Sequence, residues 1–232
     1  MNHRMEHDLL GEREVPTAAY YGVHTLRALE NFHISGIPLS TYPNMVRALA
    51  CVKQACALAN RELGLLDEAR ADAIVRACEE VRGGELHEHF AVDIVQGGAG
   101  TSTNMNANEV IANRALELLG HERGEYKFLH PLEQVNLSQS TNDVYPTAIK
   151  VALRFEIDAL IEAMEVLRLS FAAKAAEFKD ILKMGRTQLQ DAVPMTLGQE
   201  FSTYAVMLEE DQQRLREAAL LIQEINLGAT AI

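Results

Sequence analysis

Three stretches of this sequence concentrate small hydroxyl and amide side chains of the kind that grip carboxylate or phosphate oxygens. They are Gln96-Gly97-Gly98-Ala99-Gly100-Thr101-Ser102-Thr103-Asn104-Met105-Asn106, then Ser138-Gln139-Ser140-Thr141-Asn142-Asp143, then Met184-Gly185-Arg186-Thr187-Gln188-Leu189-Gln190-Asp191. Each leads toward a segment of helical periodicity. Unpaired backbone N–H groups at a helix start, with Ser and Thr hydroxyls beside them, form a cradle for an anion. Glycines at 97, 98 and 100 let backbone approach a ligand closely. Taken singly, each stretch reads equally well as helix capping, because Ser, Thr, Asn and Asp are the preferred N-cap residues. Together they indicate a small-anion site at helix N-termini, and they name no reaction.

Other chemistry-bearing residues are outweighed by structural readings. His87-Glu88-His89 has metal-ligating side chains but no third ligand nearby, so a solvated turn is the better reading. Arg186 could face an anion or hold loops together through its five donors. Asp143 and Asp191 read as caps or structural hydrogen-bond partners. Glu109 and the run Glu209-Glu210-Asp211 read as solvated or interhelical charge. The three cysteines, Cys51, Cys56 and Cys78, lie in alanine-rich helical sequence with no CxxC spacing, which suits reduced core thiols.

The elements that must position these residues are mainly helical. Met45, Leu49, Val52, Cys56, Ala59 and Leu63 place one apolar face on Pro43–Leu63. Asp67–Arg82 forms a shorter helix stopped by Gly83-Gly84, and Asn106–Leu119 ends at Gly120. Two rods follow. Ile149, Leu153, Ile157, Leu160, Met164, Leu167 and Phe171 stripe 145–178, and Leu197, Phe201, Tyr204, Leu208, Leu215, Ala218, Ile222 and Ile225 stripe 194–225, broken at Asp211. A run of ~30 residues at 1.5 Å each is roughly 45 Å long. Two such rods cannot bury one another fully and imply bundle partners. Strand signals are sparse. The expected fold class is all-α in the main, with 1–141 a domain of short helices and loops and 142–232 the first part of a long-helix bundle.

Composition excludes several function classes. With 48% hydrophobic and 23% charged residues the chain is that of a globular protein. No apolar run is long enough to span a bilayer, and 1–15 lacks the apolar block of a signal peptide, so a cytoplasmic location is expected. A net charge of −12 repels nucleic acid and anionic lipid, so neither nucleic acid nor membrane is an expected partner.

These segments resemble those of the fumarase/aspartase superfamily, and the likeness covers nearly the whole chain. Glu14-Val15-Pro16, Tyr20–Thr25 and Leu29–Phe32 are similar to its N-terminal stretch; Gln96–Asn108, Asn136–Pro146 and Met184–Phe201 are similar to its substrate-pocket segments. Tyr21–Thr25, Asp191–Met195 and Asn226–Ala231 resemble the aspartase branch more than class II fumarases. The resemblance implies a helical three-domain fold, a homotetramer around a central helical bundle, and active sites shared among subunits. It implies elimination of ammonia from L-aspartate to give fumarate, reversibly, with no cofactor; an activating divalent metal is left open.

By the same resemblance Thr101, Ser140 and Thr141 bind the β-carboxylate, and Asn142 and Thr101 lie near the amino group. Thr187 binds the α-carboxylate, followed by Gln188 where many relatives have His. Glutamine donates and accepts but cannot carry a proton, which puts an acid/base role there in doubt. The family's base serine sits on a glycine-serine-serine loop absent from this sequence, so no catalytic residue is expected here. The chain is expected to be the N-terminal part of a longer enzyme, inactive alone. The alternatives are a class II fumarate hydratase and a non-catalytic helical assembly module.

Overall fold

The computed structural model describes residues 2–230, so Ala231 of the Asn226–Ala231 motif lies outside the described residues. The chain begins with a hairpin, β1 (His3–Asp8) against β2 (Gly11–Pro16), antiparallel with His3 opposite Pro16 and Asp8 opposite Gly11. Six helices follow: α1 (Val23–Asn31), α2 (Pro43–Glu62), α3 (Glu68–Gly83), α4 (Thr101–Leu118), α5 (Thr141–Glu177) and α6 (Leu197–Leu221). A second hairpin, β3 (Leu182–Thr187) and β4 (Gln190–Thr196), joins α5 to α6. The mainly helical expectation holds, and no helix is long and apolar enough to cross a membrane among the described residues.

Local sequence explains most boundaries. Pro43 occupies the first turn of α2, where a missing N–H costs nothing. Asp67 caps α3 by accepting from the Arg70 amide, and Gly84 ends it in the left-handed region at φ 105°. Two expectations fail. The segment 184–191, expected to lead into a helix start, is most of a hairpin, and the following helix starts at Leu197 instead of Pro194. Pro194 sits in a two-stranded ribbon, both strands of which are edges, where its lack of an N–H is tolerated. Thr196 and Gln199 then form a reciprocal capping box that sets the helix start. Both hairpins escape a sequence reading for one reason. They turn through Leu9-Leu10 and Gln188-Leu189, neither of which carries an Asn-Gly or Asp-Gly signature.

The chain divides into two compact units, residues 1–152 with 225–232, and residues 153–224. The division falls inside α5, beyond the 141/142 boundary expected from sequence, because Val144, Thr147, Ala148 and Ala152 of its first turns are buried with the first unit's core. In that unit α2, α3 and α4 pack on one another around Leu49, Ile74, Ile111 and Leu116, all without solvent exposure. Glu109, read from sequence as solvated or interhelical charge, is completely buried in α4 and bridges to the start of α1. Its carboxylate accepts from the amides of Gly22, His24 and Thr25 at 2.8–3.0 Å, while Glu6 accepts from Val23 at 2.8 Å. Four free amides at the start of α1 are thereby satisfied by two acids from other elements, the charge a helix N-terminus favours.

The second unit is an antiparallel pair. Phe178 and Phe171 of the α5 side meet Phe201 and Tyr204 of α6, and Gln212 reaches Glu165 at 3.1 Å. Gly198 permits the close start of α6, since a Cβ there would lie 2.6 Å from the Ala175 carbonyl. Glu209 to Asp211 are exposed on α6, as expected of solvated charge, with Arg214 paired to Glu210 and Asp211.

Candidate functional site

The first hydroxyl-rich stretch enters α4 through left-handed glycines, Gly98 at φ 75° and Gly100 at φ 82°. At Gly100 nothing larger fits: a Cβ would fall 2.2 Å from the Tyr145 ring, which projects from the start of α5. That contact holds the beginnings of α4 and α5 together. Gln96 folds back to cap the first turn of α4, accepting from the Thr103 amide and donating to its hydroxyl, both at 2.8 Å. Thr101 is left exposed at the helix start.

At the start of α5 the Ser140 carbonyl accepts from the amides of Asp143 and Val144 at 3.0 Å, and its hydroxyl from the Asn142 amide at 3.2 Å. Ser140 therefore caps the helix. Thr141 beside it is half-buried, and its Oγ1 accepts from the Asn104 side-chain amide of α4 at 2.9 Å. Asn142 is exposed. Pro146 lacks the N–H that would make the usual helical bond to the Asn142 carbonyl. Asp143 is a structural partner, as expected. Its carboxylate accepts from the Thr230 hydroxyl at 2.6 Å and amide at 3.1 Å.

Beneath these helix starts lies a polar layer that the sequence reading missed. Lys53 of α2 is wholly buried, donating to Gln139 Oε1 at 2.8 Å and Asn136 Oδ1 at 2.9 Å. Burial pushes its pKa down to about 7. Asn136 Oδ1 also accepts from Asn104 at 3.0 Å and Asn108 at 3.2 Å. Asparagine is a weak helix former, because its side chain competes for backbone hydrogen bonds. Asn104, Asn106, Asn108 and Asn113 in one buried helix were therefore the signal available. Asn106 holds the His89 carbonyl at 2.9 Å, and Asn113 the Tyr20 carbonyl at 2.7 Å.

Thr187 and Gln188 belong to the other unit, exposed at the tip of the β3–β4 hairpin. Gln188 (φ 46°) and Leu189 (φ 65°) make the two-residue turn in the left-handed region without a glycine, and the Leu189 side chain is fully exposed. Arg186 and Asp191 pair across the exposed hairpin at 3.1 Å. Of the six residues expected to bind substrate, Thr101, Ser140, Thr141 and Asn142 are thus gathered on two helix starts of one unit, and Thr187 and Gln188 are carried by the other. His87 and His89 sit in structural contacts, His87 Nε2 at 2.8 Å from the Val81 carbonyl and His89 Nδ1 accepting from the Tyr20 amide at 3.5 Å.

The two helix starts thus present neutral donors, hydroxyl and amide, with the positive ends of α4 and α5 behind them. Such an arrangement binds and stabilises negative oxygens.

Comparison with known proteins places these features in context. A family model described as "Lyase" matches residues 11–232. An aspartate ammonia-lyase of Pseudomonas canavaninivorans is 60% identical over 230 residues, covering 99% of this chain and 48% of that protein. That of Escherichia coli (strain K12) is 55% identical over 232 residues, covering 100% of this chain and 48% of the relative. Among solved structures, a fumarate lyase:delta crystallin from Brucella melitensis superposes with a TM-score of 0.96 at 56% identity, covering 100% of this chain and 50% of that one. A class II fumarase from Schistosoma mansoni superposes with a TM-score of 0.92 at 37% identity, covering 100% and 48%. The chain spans about half the length of the curated relatives it matches.

Proposed function

The chain belongs to this lyase family, and from that premise we propose that it forms the N-terminal part of an aspartate ammonia-lyase, which eliminates ammonia from L-aspartate to give fumarate. The observation that carries the reading is the pairing of the α4 and α5 starts, locked by the Asn104–Thr141 hydrogen bond and the Gly100–Tyr145 contact. Thr101, Ser140 and Thr141 face the β-carboxylate in this scheme, Asn142 and Thr101 lie near the amino group, and Thr187 with Gln188 takes the α-carboxylate. Removing a C3 proton drives extra negative charge onto the β-carboxylate. Fixed neutral donors then bind the enediolate-like transition state more tightly than the ground state, and that difference is the rate enhancement. No cofactor is needed for this step.

The proton acceptor is assigned to the part of the protein outside this chain. The same part, with further copies in a cytoplasmic homotetramer, would cover Leu153, Leu160, Leu167, Val206 and Met207, apolar side chains of α5 and α6 that are about half exposed here. Aspartase is favoured over class II fumarase because identity to the aspartate ammonia-lyases is 55–60% against 37% to the fumarase. The test is fumarate formation, followed by ultraviolet absorbance, from L-aspartate and from L-malate. The whole-length protein should act on aspartate and not on malate, and residues 1–232 alone on neither. Malate turnover without aspartate turnover would transfer the reading to a fumarase; turnover by 1–232 alone would put the base in the wrong half.

A further inference from the structure

We propose that Lys53 and Asn104 are positioning residues for this reaction: acting through Asn136, they commit the Thr141 hydroxyl to donate its proton outward, to a ligand carboxylate. The inference rests on the proposed function for the identity of that ligand, and on hydrogen-bond polarity for everything else.

The polarity can be followed from atoms whose role is not negotiable. The Gln139 side-chain amide faces the Val135 carbonyl at 2.9 Å, and the Asn136 side-chain amide faces the Gln139 carbonyl at 2.9 Å. Carbonyl oxygens only accept, so each of these side chains must turn its nitrogen that way. Their oxygen ends therefore point at Lys53, which donates to both. Asn136 Oδ1 also lies 3.0 Å from the Asn104 side chain, and two oxygens cannot share that contact, so Asn104 presents Nδ2. The same Nδ2 is 2.9 Å from Thr141 Oγ1. Thr141 Oγ1 thus accepts from below, and its own proton cannot return to Asn104. Among the described residues that hydroxyl takes part in no other hydrogen bond, which leaves its proton for the open side of the helix start.

The network keeps this polarity at a cost. Asn104 Oδ1 is buried and has no hydrogen-bond partner. Reversing the Asn104 amide would give that oxygen the Thr141 hydroxyl as a donor, but would set it against Asn136 Oδ1. A hydroxyl free to rotate would spend part of its time donating inward. One whose direction is fixed before charge develops needs no reorganisation in the transition state.

The experiment is a double-mutant cycle on kcat for L-aspartate in the whole-length protein, with Lys53→Met, Thr141→Val and the two combined. Each single change should lower kcat by roughly tenfold or more, and the double variant should be no slower than Thr141→Val alone, because Lys53 acts only through a hydroxyl already gone. Asn104→Leu, which removes the relay and leaves Lys53 in place, is run against Thr141→Val in the same way and decides the matter if Lys53→Met fails to assemble. Losses that multiply, or Lys53→Met and Asn104→Leu variants with the parent's kcat, would overturn this inference alone. A parent protein that does not turn over aspartate would overturn the proposed function and this inference with it.

Discussion

The start of α5 and the tip of the β3–β4 hairpin are both expected to touch substrate, yet they are built in opposite ways. Thr141 stands on a buried layer in which Lys53, Asn136 and Asn104 fix one another's orientation. Thr187 stands at the end of an exposed two-stranded ribbon whose turn is made by two non-glycine residues at positive φ. A group that must stabilise developing charge gains from a rigid support beneath it. A group that only holds a carboxylate can be brought in on a lever. The same contrast runs between α4, polar and apolar side chains alike buried around its circumference, and α5 beyond Ala152, where Leu153, Leu160 and Leu167 are about half exposed. One region is buried within its own unit; the other leaves apolar side chains exposed.

The largest effect should come from breaking the rigid side. Gly100→Ala puts a Cβ 2.2 Å from the Tyr145 ring at a residue with φ 82°. A left-handed alanine costs roughly 1–2 kcal/mol, and overpacking typically adds ~1–3 kcal/mol. The thermal midpoint of the whole-length protein should fall by several degrees and activity should go with it. A variant as stable as the parent would show that the two helix starts are not locked together.

Breaking the lever should separate activity from stability. Thr187→Val keeps the shape of an exposed side chain and removes its hydroxyl. Losing a hydrogen bond to a charged group costs ~1.5–3 kcal/mol, so kcat/KM for aspartate should drop roughly tenfold to a hundredfold or more. The midpoint should not move. Unchanged kinetics would remove the hairpin from the site.

The smallest effect sharpens the contrast. Leu189→Gly deletes a fully exposed side chain at φ 65° and relieves a left-handed strain of roughly 1–2 kcal/mol, offset by the entropy of glycine. The 232-residue chain should melt at the same temperature or slightly higher. A lower midpoint would mean that Leu189 is packed against something, and the tip would no longer count as exposed.

Local pattern made much of this molecule legible. The apolar spacing of α2 and α3, the proline at 43, the Asp67 cap and the left-handed Gly84 are written in residues within a few positions of one another, so their boundaries can be read within a residue or two. The six substrate-contact candidates come from the family likeness, on stretches that composition singles out, and Thr101, Ser140, Thr141 and Asn142 lie at neighbouring helix starts. The hairpins were not legible because neither two-residue turn, Leu9-Leu10 or Gln188-Leu189, contains a glycine or asparagine. Nor was the partner of Glu109, since an acid in a helix reads as solvated or interhelical charge until the amides of Gly22, His24 and Thr25 are brought to it from more than eighty residues away.

By itself, then, the sequence determined the helices, their apolar faces and the hydroxyl-rich stretches, because periodicity and capping act between residues close along the chain. Only the tertiary structure decided which of those stretches share a support, that α5 belongs to two units, and that Lys53, Asn104, Asn108 and Asn136 form one directed network. Those are relations between residues 28 to 86 positions apart, and the polarity of a buried hydrogen-bond network is set by its most constrained atoms, wherever in the chain they lie.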